Sequence, residues 1–358
     1  MGDLSMPRSL DDFTPQWLTA ALDEEVVSVD IEPVGQGVGI LGLLARLHLT
    51  YAGAAAGAPP TVIAKIASSN PDTVMVAVHY GFYLNEVQFY RECSSTPGLR
   101  VPSLYHSDID DTESAFVLLL EDLAEARLAD QLAGCSPADA AHVMDSAAAL
   151  HSFWWNSPEL DDLTWLRPVN NVAYKSAQDQ YAQVWPGLVD RFGDRLPARA
   201  LAIGEAFQPR IGDVFDWVVA NRPLSIAHTD FRLDNLFFEH PDGSPLTIID
   251  WQLSVRGLGP IDVSYFLSES MSPEDRRAYE RPLLERYHAG LIAGGVTDYS
   301  FDDLWDDYRM CLVLQLTIPV IGQSMDPGNE RGRALMEAMV TRAFIAVDDH
   351  DAGRFLPV

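Results

Sequence analysis

The second half of this 358-residue chain reads as long helices, and one short interruption decides what such a chain can become. Between the helical patterns stand Leu224-Ser225-Ile226-Ala227, Leu236-Phe237-Phe238 and Leu246-Thr247-Ile248-Ile249, apolar runs of strand length bounded by turn residues. The loop joining the first two is His228-Thr229-Asp230-Phe231-Arg232-Leu233-Asp234-Asn235, and the third run ends on Asp250-Trp251. A fold for this chain must therefore set a loop carboxylate, an amide five residues on and a strand-terminal carboxylate into a helical body.

Those three side chains suit one chemistry. Asp230 can accept the proton of an attacking hydroxyl, while Asn235 and Asp250 offer the neutral and charged oxygens that Mg²⁺ selects. Together they are equipment for phosphoryl transfer from a nucleoside triphosphate. The plainer alternative is that Asp230 and Asn235 only shape a polar turn. The Ile248-Ile249-Asp250-Trp251 run at a fitting distance favours the functional reading.

The only lysines are Lys65 and Lys175, in a chain that otherwise writes its cations as arginine. A compact ammonium kept in the apolar run Thr61 to Ile66 fits a phosphate contact, with Glu86 on the following helix holding it; Glu92 shares that helix. Gly35, Gly37 and Gly39 lie in a glycine-rich turn followed by an alternating strand. That order excludes a Rossmann fingerprint, and the absence of Gly-Lys-Ser/Thr excludes a Walker loop. A phosphate-covering hairpin or a tight turn remains. Phe116 to Leu123 reads as a connector whose backbone, around Glu121 and Leu123, can read a nucleobase. His151 reads as a core histidine near the catalytic loop. Trp154, Trp155 and Tyr174 are candidate acceptor-pocket aromatics, although aromatics at helical spacing also build cores, and Lys175 is either a substrate contact or a solvated cation.

Strand patterns precede the helical half. Val26 to Ile31, Leu44 to Tyr51 and Thr61 to Ile66 read as strands, with Ala52 to Pro60 as a hairpin loop. A helix follows at about Val76 to Cys93, then strands at Ser103 to Ile109 and Ala115 to Glu121. Helical patterns then cover Pro137 to Trp155, Val172 to Trp185, Ala198 to Val219, Pro273 to Ile292, Phe301 to Val320 and Arg331 to Val347. The expected class is α+β: a small antiparallel β-rich lobe, residues 1–121, and a larger helical lobe, residues 122–358.

Composition narrows the partners. A hydrophobic fraction of 47% fills a sizeable core, and Lys+Arg 24 against Asp+Glu 52 gives a formal charge of −28. Such a field repels nucleic acid and anionic lipid, so neither is an expected partner; it aids solubility and also suits a cationic substrate. Three scattered cysteines point to a reducing, cytoplasmic setting with no disulfide frame, and no run is apolar enough for a membrane span.

The pattern resembles the aminoglycoside phosphotransferase and choline kinase superfamily, and within it the ecdysteroid-kinase-like branch. The resemblance rests on Lys65, Asn85 to Tyr90, Leu120 to Leu123, Leu150-His151, His228 to Asn235, Ile249 to Gln252 and Gly259 to Leu267. It implies a bilobal protein-kinase-like fold and phosphorylation of a small-molecule hydroxyl by ATP or GTP with Mg²⁺. In that scheme Asp230 is the base, Asn235 and Asp250 hold the metal, Lys65 and Glu86 position phosphates, and His228 and Asp262 shape the catalytic loop. Thr229 departs from the pattern, standing where the family usually has glycine, and the glycine-rich turn matches no branch cleanly.

The expected acceptor is a steroid, polyketide, sugar alcohol or aminoglycoside-like alcohol. Two other classes compete. A nucleotide-binding pseudokinase serving as a regulatory or scaffold module would tolerate losing one of these groups, yet all are present. A metal-dependent hydrolase built on His228 and Asp230 would need further ligands at suitable spacing, and the sequence offers none.

Overall fold

The computed structural model describes residues 4–34, 41–53, 57–325 and 327–357. The chain divides into two compact units, neither a single stretch. The first takes residues 1–95, 101–126 and 249–253, and the second takes 96–100, 127–248 and 254–358. The α+β class expected from the sequence is the one adopted: an antiparallel sheet early in the chain and mostly helices later.

In the first unit, helix α1 (Pro15–Leu22) precedes strands β1 (Val26–Val34), β2 (Gly42–Tyr51) and β3 (Thr61–Ala67). Helices α2 (Pro71–Tyr80) and α3 (Phe82–Gln88) follow, then β4 (Leu104–Ile109) and β5 (Phe116–Glu121). The five strands pair antiparallel in the order β1-β2-β3-β5-β4. Alternation along β3 assigns its two faces. Val62, Ala64 and Ile66 join Val117 and Leu119 in a core closed by Phe13, Trp17 and Leu18 of the α1 region. Burying side chains of this size contributes about 1.5–3 kcal/mol each. By the same period, Lys65 points to the opposite face.

The single helix expected from Val76 to Cys93 is three pieces. Asn70 caps α2 early by accepting from the Asp72 N–H at 2.9 Å, with Pro71 as first helical residue. Gly81, at φ 75°, ends α2 in a left-handed turn that glycine adopts without strain. After α3 the residues Phe89–Cys93 form a π-helical turn.

The second unit opens with β6 (Arg127–Leu128) and α4 (Pro137–Phe153), whose start is capped by Ser136. Helices α5 (Val172–Lys175), α6 (Ala177–Phe192), α7 (Ala198–Phe207) and α8 (Ile211–Asn221) follow, so the helices expected over Val172 to Trp185 and Ala198 to Val219 are each split, as is Phe301 to Val320 further on. Short strands come next: β7 (Ser225–Ala227), β8 (Leu236–Phe238), β9 (Leu246–Ile248) and β10 (Val255–Gly257). β7 pairs with β10, and β8 lies between β6 and β9. The chain closes with α9 (Pro260–Ser270), α10 (Pro273–Ala293), α11 (Phe301–Leu314), α12 (Thr317–Gly322) and α13 (Glu330–Asp349). Every residue of α9 is buried, and α4, α10, α11 and α13 pack around it. Among the described residues no helix is long and apolar enough to cross a membrane.

Candidate active site

Lys65 is the charged residue on a largely apolar strand, 8% exposed, and its ammonium meets two carboxylates. Nζ lies 2.8 Å from Glu86 Oε1 and 3.0 Å from Asp250 Oδ1. Glu86 comes from α3 and is 1% exposed; Glu92, on the π turn, faces solvent. Burial works against the Lys65 charge, but the Asp250 and Glu86 carboxylates outweigh it and hold its pKa above the usual lysine value. Glu86 carries the opposing cost. Burial, offset by Lys65 and reinforced by Asp250, pushes its carboxyl up to about 7.

Asp250 is fixed by its neighbours. Phe89 and Trp251 stack with ring centroids 3.7 Å apart, and Asn85 donates to the Gln252 carbonyl at 3.0 Å, so residues 249–253 are pinned against α3. Asp250 itself sits at φ 68°, a left-handed conformation that costs energy in any residue with a Cβ and recurs at functional sites. Its Oδ2 meets the Gln252 amide at a slack 3.4 Å, and its side chain is 22% exposed. An oxygen so lightly held suits a hard cation.

The loop from His228 to Asn235 lies between β7 and β8 in the second unit. Asp262, on α9, accepts from the His228 N–H at 2.7 Å and from the Thr229 N–H at 2.8 Å. His151 lies 3.1 Å from the same carboxylate and 2.8 Å from the Tyr287 hydroxyl. Thr229 has φ 61°, which is why glycine would be at ease there. The loop is thus held by its backbone, leaving side chains for chemistry.

Asp230 projects from this loop and is joined to Asn235, whose Nδ2 donates to its Oδ2 at 2.8 Å and to its carbonyl at 2.9 Å. That use of the amide nitrogen leaves the Asn235 oxygen to meet a cation. Tyr265 donates to Asp230 Oδ1 at 3.3 Å, and Arg232 lies 3.2 Å from that oxygen. Burial raises the Asp230 pKa, but Arg232, His228 and the Asn235 amide together hold it below the ordinary carboxylate value. Among the described residues no group of three His, Cys, Asp or Glu side chains forms a metal cage. A divalent ion here would rest on few protein oxygens, as Mg²⁺ does beside a nucleotide.

The remaining expected residues are spread out. Gly35, Gly37 and Gly39 lie outside the described residues. Glu121 ends β5; its side chain accepts from the Ser103 N–H at 3.0 Å, and its own N–H donates to the Ser103 carbonyl at 2.9 Å. Leu123 is buried, with its carbonyl accepting from Ala126. Trp154 is 5% exposed and donates to Thr96 Oγ1 at 3.0 Å, a core position. Trp155 packs on Tyr299 and lines an open cavity of about 460 Å³ with Ser152, Asn156 and Pro223. Tyr174 belongs to α5, and Lys175 pairs with Asp216 at 2.6 Å.

Sequence reasoning passed over Arg232 and Tyr265, both touching Asp230. Arg232 stands two residues from it, a signal open to reading. Tyr265 reaches it across 35 positions, which no local pattern reveals.

The ecdysteroid kinase-like family model matches residues 36–294. Two curated relatives match shorter stretches: acyl-CoA dehydrogenase family member 11 of Gallus gallus, 26% identical over 116 residues, and the probable acyl-CoA dehydrogenase IBR3 of Arabidopsis thaliana, 35% identical over 65. These stretches are 31% and 16% of the chain, which spans only 14% and 8% of the two relatives. Solved structures align along nearly the whole chain. A putative aminoglycoside phosphotransferase of Ralstonia eutropha is 16% identical with TM-score 0.53, covering 94% of this chain and 97% of that one. The ethanolamine kinase of Plasmodium vivax is 11% identical with TM-score 0.53, covering 94% and 89%. The GDP and kanamycin complex of APH(2″)-IIia is 11% identical with TM-score 0.52, covering 94% and 97%. At such identities these structures establish the fold, that of small-molecule kinases. The family match spans most of the chain, which therefore belongs to the ecdysteroid kinase-like family.

Proposed function

We propose that this protein transfers the γ-phosphoryl group of ATP or GTP to a hydroxyl of a small molecule. Asp230 is the general base, held at its post by Asn235 and Tyr265. Asn235 and Asp250 supply oxygens to Mg²⁺, and Lys65, steadied by Glu86, meets the nucleotide phosphates. A bound Mg²⁺–nucleotide supplies the group transferred and neutralises charge as it moves. Glu121 and Leu123 are proposed to read the base, Gly35, Gly37 and Gly39 to cover phosphates, and Trp154, Trp155 and Tyr174 to border the acceptor.

The observation that carries this reading is the Lys65 ammonium clasped between Glu86 and Asp250. Burying a cation between two carboxylates adds little net stability, so a binding role accounts for the cluster better than a structural one. The GDP complex among the similar structures supports nucleotide use, and the kinases among them support a hydroxyl acceptor. Steroids, polyketides, sugar alcohols and aminoglycosides are the proposed acceptor classes. The few, scattered cysteines support a cytoplasmic setting.

The test is acceptor-dependent release of nucleoside diphosphate across a panel of these alcohols, with Asp230→Ala as control. At least one acceptor should accelerate release in the wild type and leave the variant at its basal rate. Release that no acceptor raises above the rate in water alone would favour a nucleotide-binding regulatory module instead.

A further inference from the structure

We propose that Tyr90 is a positioning residue, its hydroxyl held in reserve for Glu86 when Lys65 turns to the nucleotide phosphates. This deepens the kinase reading and rests on it. Tyr90 stands on the π-helical turn Phe89–Cys93, directly after α3, which carries Glu86. Turns of this kind are rare and are frequent at functional sites. Tyr90 is 2% exposed, and no described group takes a hydrogen bond from its hydroxyl. A buried O–H left in that condition is costly and calls for an explanation. Burial first, then the Glu86 and Asp250 carboxylates, hold its pKa well above the usual tyrosine value. The phenol is therefore a neutral donor in the field of two acids.

Its counterpart is on Glu86. Oε1 of that side chain accepts from Lys65 at 2.8 Å. Oε2 lies 2.7 Å from the same nitrogen, a charge contact without hydrogen-bond alignment, and it too is buried with no hydrogen bond. One helical stretch thus carries an unmatched donor and an unmatched acceptor four residues apart, a spacing that brings side chains together. As they stand, the Lys65 ammonium covers both Glu86 and Asp250, and its charge makes the arrangement tolerable. With Lys65 engaged on phosphates and Asp250 on the metal, that cover thins. Glu86 can then go on steadying Lys65 only if its second oxygen finds another donor. Tyr90 is the one at hand.

Tyr90→Phe removes the hydroxyl and keeps the ring, which separates this role from packing. Without nucleotide its thermal midpoint should match or exceed that of the wild type, because no hydrogen bond is lost. Titration calorimetry with Mg²⁺ and non-hydrolysable ATP or GTP analogues should show Kd raised about tenfold, as for a lost hydrogen bond to a charged group. In a Glu86→Ala background the same substitution should change Kd by less than about twofold, since its acceptor is gone. A lower midpoint without nucleotide and an unchanged Kd would make Tyr90 a strut of the core and overturn the assignment. A loss of about tenfold that persists in the Glu86→Ala background would overturn it as well. If the wild type itself binds neither analogue, the kinase reading fails and takes this inference with it.

Discussion

Asp262 Oδ2 lies 2.7 Å from the backbone nitrogen of His228, and this contact, with its twin to Thr229, anchors the loop that carries Asp230. Both residues are buried, where a backbone N–H that loses its acceptor is costly. Replacing Asp262 with Ala should cost roughly 3 kcal/mol or more, since it also strips His151 of its carboxylate partner. Asp262→Asn keeps an acceptor oxygen and should lose less. Urea midpoints for the two variants check the order. Equal midpoints would mean that the loop is held by something else.

Thr229 bears a branched side chain at φ 61°. Glycine would relieve about 1–2 kcal/mol of left-handed strain and lose part of that, about 0.5–1 kcal/mol, to the freedom of the unfolded chain. Thr229→Gly should therefore be as stable as the wild type or up to about 1 kcal/mol more so, with transfer activity retained. A lower thermal midpoint would show that the threonine side chain holds the loop.

Lys65 separates two carboxylates, so its loss has consequences beyond a missing phosphate contact. Lys65→Ala should raise the nucleotide Kd at least about tenfold, a change of about 1.4 kcal/mol, and lower the thermal midpoint as Glu86 and Asp250 lose their shared cation. Lys65→Arg should not rescue binding, because the guanidinium is too broad for a buried site shaped around an ammonium. Calorimetric titration with nucleotide reads both variants.

Acid sensitivity should reside in the C-terminal helices. Glu280, on α10, meets Arg276 at 2.6 Å, His350 at 3.0 Å and the Tyr308 hydroxyl at 3.1 Å, while Arg276 also pairs with Asp349. Burial raises the Glu280 pKa, but His350 and Arg276 outweigh it and hold it below the ordinary 4.5. A carboxyl whose folded pKa is depressed contributes stability above its unfolded pKa and loses it as pH falls through the folded one. The urea midpoint should therefore drop as pH falls below about 4.5, and Glu280→Gln, less stable at neutral pH, should show a shallower drop.

The candidate site residues stood out in the sequence because their chemistry is local. The span from His228 to Asn235 and the strand ending at Asp250 carry their own spacing, and Lys65 stands out in a chain with one other lysine. Strand patterns fell within a few residues of β1 to β5, since one face of that sheet alternates into a core. Helix α9 escaped notice because all of it is buried, leaving no polar face for a period to show. Trp154 and Trp155 look alike in sequence, yet one bonds Thr96 in the core and the other lines a cavity. Adjacent side chains on a helix end diverge, and only packing decides which goes in.

The most direct measurement follows the phosphorus itself. With γ-labelled ATP or GTP and an acceptor found by screening, the wild type should move label onto the organic alcohol. Asp230→Asn, which keeps the shape of the side chain but removes the base, should bind nucleotide with similar affinity and transfer at least about a hundredfold more slowly. Transfer by Asp230→Asn at the wild-type rate, or label appearing only as inorganic phosphate from the wild type, would contradict the account.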